Sequence, residues 1–265
     1  MAENCKNCNE LITGNFCINC GQKKYKRIDR KYVMEEVQYT FLHANKGLLY
    51  SAKTILKNPG KTARDFIDGN RVRHYKPILL TFVLSGLSAF LSYKVIGMEA
   101  MMRDYYSVMH MDSVFMQKIM ATISSYMSLF MMILIPFFAL ATRIAFRKSG
   151  HNYYEHVVMN AYILSYYTLI SIILIYPLMF IFRHSSSAIP YYLMQASVWI
   201  TPLLLIWFFK GFYAEKSWMT IILKVLIILG LTLLGYLAFI LLTGIVVMIY
   251  VMMNGAEALQ SIQPR

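Results

Sequence analysis

From about residue 77 onward the chain alternates between long apolar runs and short polar interruptions. A helix needs about 20 apolar residues to cross a hydrocarbon core roughly 30 Å thick. Five runs qualify: 77–97, 119–146, 157–182, 190–209 and 218–253. The pattern predicts an all-α polytopic membrane domain over 77–253 with about five transmembrane helices, followed by a C-terminal tail over 254–265. The last run would make about 54 Å of helix at a rise of about 1.5 Å per residue. A break near Gly230 to Gly235 would turn it into a hairpin, but that turn offers no charge to the headgroups, so one long tilted helix is expected.

Ahead of the first run the pattern changes. Val33, Val37 and Phe41 recur at helical spacing, then Leu48, Leu49, Ala52, Ile55 and Leu56, with Lys46, Lys53 and Lys57 among the second set. This reads as short amphipathic helices lying along the membrane or docked under the spans. Asn58-Pro59-Gly60 interrupts them, because proline clashes inside a helix and suits its start. Lys61–Asp68 is expected to form one more short helix, stopped by Gly69. Residues 23–76 are thus a basic linker followed by juxtamembrane helices.

Residues 1–22 follow neither pattern. All four cysteines of the chain lie here, as Cys5-x2-Cys8-x8-Cys17-x2-Cys20. Two Cys-x2-Cys pairs can close a tetrahedral four-thiolate site, so one structural zinc is expected in a small ribbon. Leu11, Ile12 and Phe16 supply a minimal apolar cluster, too small to hold a fold without the metal.

Composition agrees with a membrane protein: 58% of residues are hydrophobic, 19 are methionine and the mean hydropathy is +0.49. The formal net charge of +13 is concentrated in the segment before the first span. It needs no nucleic-acid module, since anionic lipid headgroups attract such segments. With the N-terminus in the cytosol, every Lys and Arg except Lys94, Arg103, Lys118, Arg183 and Arg265 faces inward, the bias that sets orientation. Four reduced thiols suit the same side. Met1–Glu10 is polar, so the first span is expected to act as an uncleaved insertion signal. The expected location is a membrane crossed several times, with the N-terminus in the cytosol.

Chemistry within the spans is sparse. No Asp or Glu lies in mid-span, and no phosphate loop, His-Glu-x2-His or nucleophile elbow occurs. Thr81, Ser85, Ser88 and Ser92 lay a hydroxyl stripe along the first span, explained by helix packing or by a water-lined path. Pro136, Pro177 and Pro202 can kink their spans. His151, Glu155, His156 and Asn160 gather at the start of the third span, where Arg71 and Arg73 are also expected to arrive. Arg71, Arg73, Glu155, His156 and Asn160 form the candidate polar cluster, with Arg71 pairing to Glu155 or both engaging a headgroup phosphate.

Three stretches together resemble a family of bacterial membrane proteins defined only as a domain of unknown function. They are Phe16-Cys17-x2-Cys20-Gly21-Gln22; Pro59-Gly60, Arg64, Gly69, Arg71, Tyr75 and Pro77; and Glu155-His156-Val157-Val158. The resemblance implies a zinc ribbon on a polytopic membrane domain, and a role beyond packing for Arg71 and Glu155-His156. It implies no activity. Tyr162 stands where relatives are expected to carry a further histidine.

The leading expectation is a membrane protein of no assigned activity whose ribbon is a platform for a protein partner. The alternatives are a small-solute or lipid transporter using the kinked second to fourth spans, and an enzyme acting on lipid headgroups through Glu155 and His156.

Overall fold

The computed structural model describes residues 3–5, 8–21, 44–70, 74–108, 113, 118, 121–122, 125–183 and 188–262. The chain divides into two units, Met1–Gly47 and Leu48–Arg265. In the first, strands β1 (Glu3–Asn4) and β2 (Leu11–Ile12) pair antiparallel, with Glu3 opposite Ile12 and Asn4 opposite Leu11. Among its described residues the core is Cys5, Ile12 and Cys17, with Cys8 packed against them.

The second unit is helical. Helix α1 (Ala44–Lys57) is followed by α2 (Pro59–Ile67). The Asn58 side chain accepts the Lys61 N–H at 3.0 Å and Pro59 takes the first turn, where its missing N–H costs nothing. The expected break is therefore a helix cap, and α2 starts two residues earlier than Lys61. Gly69, at φ +114°, lies just beyond its end.

Helix α3 (Pro77–Phe90) runs into a π-helical turn, Leu91–Ile96, that stops at Gly97 with φ +81°. Helices α4 (Met98–Val108) and α5 (Met127–Ala145) come next. Helix α6 (Tyr153–Ile170) continues through a second π-helical turn, Ser171–Ile175, into α7 (Tyr176–Ile181). The wide turn lies directly ahead of Pro177, whose ring removes a backbone donor from the ladder. Helices α8 (Ala188–Phe212) and α9 (Trp218–Ile262) complete the unit.

Among the described residues, four helices are long and apolar enough to cross a membrane: Pro77–Ile96, Met127–Ala145, Tyr153–Ile181 and Trp218–Met253. The run expected to give a further span at 190–209 lies in α8, whose described apolar stretch is the shorter Val198–Phe212. The final run is one helix with no hairpin, and it continues to Ile262 through residues expected to be tail.

Helices α3, α5 and α6 pack on one another, α2 lies against α6 and α8, and α9 lies against α5 and α8. The hydroxyl stripe of α3 is mostly a packing seam. Thr81 Oγ1 donates to the Ala161 carbonyl at 2.8 Å and lies 3.0 Å from Ser165 Oγ, while Ser88 Oγ meets the Tyr176 hydroxyl at 2.7 Å. Such bonds matter in lipid, where apolar burial alone does not drive helices together. The largest core lies where α1 and α2 meet the bundle: Ile55 and Ala63 join Phe146, Met159, Tyr162, Phe208, Phe209 and Tyr213. Phe146 stacks on Phe209 at 4.7 Å and on Tyr213 at 4.6 Å.

Two glycines set how closely α2 approaches α8. A Cβ on Gly60 would run into the Phe208 carbonyl oxygen and the Phe212 nitrogen, and would lie 2.7 Å from the Gly211 carbonyl carbon. One on Gly211 would lie 2.5 Å from Asn58 Oδ1. Gly60→Ala and Gly211→Ala are each expected to lower the melting temperature of the purified protein, since overpacking of this kind costs about 1–3 kcal/mol. Gly235→Ala, whose new methyl meets nothing within 4 Å, is expected to hold or slightly raise it, alanine being the better helix former. Differential scanning fluorimetry reads both. A Gly60→Ala protein that melts with the parent would show that α2 is free to shift.

Candidate metal centre

The first unit is built around its sulfurs. In the first knuckle the Asn9 N–H donates to the Cys5 carbonyl at 2.9 Å, and in the second the Gly21 N–H donates to the Cys17 carbonyl at 2.9 Å. The two knuckles thus repeat one geometry. In each, the residue after the second cysteine takes a left-handed conformation, Asn9 at φ 61° and Gly21 at φ 71°. Asparagine and glycine are the residues that enter this region most readily, so the sequence already carries the turn.

These turns bring Cys5, Cys8, Cys17 and Cys20 together, with all four sulfurs within 4.8 Å of one another. Cys5 and Cys20 Sγ are 3.5 Å apart, as are Cys8 and Cys17 Sγ. A metal held about 2.3 Å from each of four sulfurs in a tetrahedron sets the S–S edges at about 3.8 Å, so the cluster has the size and donor chemistry to hold one ion. The thiols also show what the cation must overcome. The backbone hydrogen bond with Glu10 lowers the Cys8 pKa, but the Cys20 contact, desolvation and the Cys17 and Cys5 contacts outweigh it and push the thiol up to about 12. A bound divalent cation reverses that balance and deprotonates its ligands. Cys5 and Cys17 are buried and Cys20 is exposed.

Of the polar cluster expected at the start of α6, the structure describes Glu155, His156 and Asn160. Glu155 closes a capping box: its carboxylate accepts the Asn152 N–H at 2.7 Å, and its own N–H donates to Asn152 Oδ1 at 3.0 Å. The carboxylate is engaged in capping the helix, and it does not join His156. Asn160 is buried and donates to Thr142 Oγ1 and to the His156 carbonyl, both at 2.8 Å, so it ties α6 to α5 without touching the imidazole. Arg71 and Arg73 lie outside the described residues, and with them the expected Arg71–Glu155 pair.

Two contacts here were not apparent from the sequence. His151 Nδ1 lies 3.3 Å from the Tyr213 hydroxyl, and its ring meets Phe212 edge-on at 5.2 Å. Desolvation pushes the His151 pKa below its usual value, against the opposing field of Glu155. The His156 ring lies edge-on to His151 at 6.4 Å. His156 is 0% exposed, and among the described residues neither ring nitrogen has a hydrogen-bond partner. The aromatic run Trp207 to Tyr213 was the available signal, but periodicity alone does not say which ring meets a histidine.

A buried polar group without a partner costs about 1–3 kcal/mol. His156→Leu is therefore expected to keep or raise the melting temperature of the purified protein. A clear fall would show that the imidazole holds a partner of its own. Metal analysis is expected to find one ion per chain in the parent and none in Cys17→Ser, because three thiolates leave an open position in a unit with almost no core. Metal retained at full stoichiometry in Cys17→Ser would exclude the four-sulfur centre.

No curated protein and no solved structure matches this chain. Residues 45–89, which carry most of α1, all of α2 and α3 up to its last turn, match the family model described as "Protein of unknown function (DUF3667)".

Proposed function

We propose that this is a multi-pass protein of the bacterial inner membrane, whose N-terminal unit holds one structural zinc on the cytosolic side and docks a protein partner. Four soft sulfur donors in tetrahedral reach suit zinc, and a closed four-thiolate shell leaves no position for substrate. The basic residues outside the spans support the orientation, and the need for reduced thiols supports it independently.

The observation that carries the docking role is the surface of the small unit. Leu11, Phe16 and Ile18 are 50%, 58% and 88% exposed, although the unit's core holds only three of the described residues. So small a domain gains by burying every apolar side chain it has, and a set left in water marks an interaction surface. The metal keeps the knuckles rigid, so the surface is presented preformed and binding needs little ordering.

Phe16→Ser with Ile18→Ser is expected to keep the metal at one per chain but to remove a protein cross-linked to the ribbon in intact cells. Protease should reach the ribbon in inside-out vesicles and spare it in right-side-out ones. Identical cross-linked products from parent and variant would sink the docking role. Cleavage in right-side-out vesicles would reverse the orientation.

A further inference from the structure

A cleft of about 520 Å³ opens between α2 and the α8–α9 turn, and His151 and His156 are not among its lining residues. Trp207 and Trp218 line it and are 48% and 52% exposed. They stand at the ends of the apolar stretches Val198–Phe212 and Trp218–Met253, beside Lys210 and Lys216. Indole rings at the junction of apolar and basic residues sit at headgroup depth in a bilayer.

The polar lining carries both signs. Lys61, Arg64 and Lys210 supply the cations, and Asp65 and Glu215 the carboxylates. Lys210 Nζ donates to the Ala214 and Lys216 carbonyls at 2.7 Å each, which fixes its charge in the cleft and uses two of its three donors. Lys61 pairs with Asp65 at 2.8 Å, and its side chain is 65% exposed. Surface pairs of this spacing are weak, so both partners can be redirected to a ligand. Arg64 is held by Asp68 at 2.9 Å and feels the field of Glu215.

We propose that this cleft binds the headgroup of an aminophospholipid, a phosphodiester joined by a short linker to a primary ammonium. The phosphate takes charge-assisted hydrogen bonds from Lys61, Arg64 and Lys210, and the ammonium donates to Asp65 and Glu215. The indoles flank the glycerol and the first methylenes of the chains. A purely anionic headgroup would leave the carboxylates facing like charge. A quaternary ammonium has no proton to give them.

Native mass spectrometry of the full chain in detergent tests this, with phosphatidylethanolamine, phosphatidylcholine and phosphatidylglycerol added at equal concentration. Phosphatidylethanolamine is expected to be retained in preference to the other two. Lys61→Gln and Glu215→Gln alter exposed side chains and should leave the melting temperature unchanged. Each is expected to weaken retention about tenfold, the size of one lost charge-assisted hydrogen bond. Soluble phosphoethanolamine distinguishes a free headgroup from a lipid, and it should not displace the lipid at millimolar concentration. Equal retention of all three lipids, a preference for phosphatidylglycerol, no effect of either variant, or displacement by phosphoethanolamine would each overturn the proposal.

Discussion

The crossing of α2 over α8 is possible only because Gly60 and Gly211 have no side chains. A methyl on either would fall on backbone or on the Asn58 cap. With the backbones this close, Ala63 enters the core beside Phe208 and Phe212, and the Arg64 guanidinium lies 5.5 Å from the centre of the Phe212 ring. Phe146, Phe209 and Tyr213 stack within the same core, and the approach forms one wall of the cleft. Losing it would expose aromatic surface worth about 2 kcal/mol per ring in water. The short helix is thereby a fixed part of the membrane unit.

The two units reach stability by different routes. The small one has, among its described residues, three core residues and two hydrogen-bonded knuckles, so an ion held by its four sulfurs would be its main source of folding energy. The larger one places apolar surface against lipid, where burial between helices gains little, and specific bonds set the pairing. Thr81 to Ala161, Asn160 to Thr142 and Ser88 to Tyr176 are the bonds that do this. His156 stands apart, since its buried imidazole meets no hydrogen-bond partner among the described residues.

The thiol cluster, the break at Asn58-Pro59 and the apolar helices other than the span expected over 190–209 were legible in the sequence because they are local. Run length sets whether a helix can span, a two-residue spacing sets whether two thiols share an ion, and Asn-Pro sets where a helix starts. Glu155 could also have been read this way, as the last residue of Asn152-x2-Glu155, a capping box. Neighbouring residues on a helix point about 100° apart, so Glu155 and His156 leave α6 in different directions.

The remainder depended on tertiary structure. Gly211 carries no signal by itself, and its meaning appears only when Gly60 arrives from far away in the chain. The same holds for the contact of His151 with Tyr213 and for the cleft, which joins Lys61 to Lys210 across two helices. Periodicity says which face of a helix is apolar, but not which neighbour covers it or at what distance. Those follow from how closely two backbones can approach, and here two absent side chains decide that.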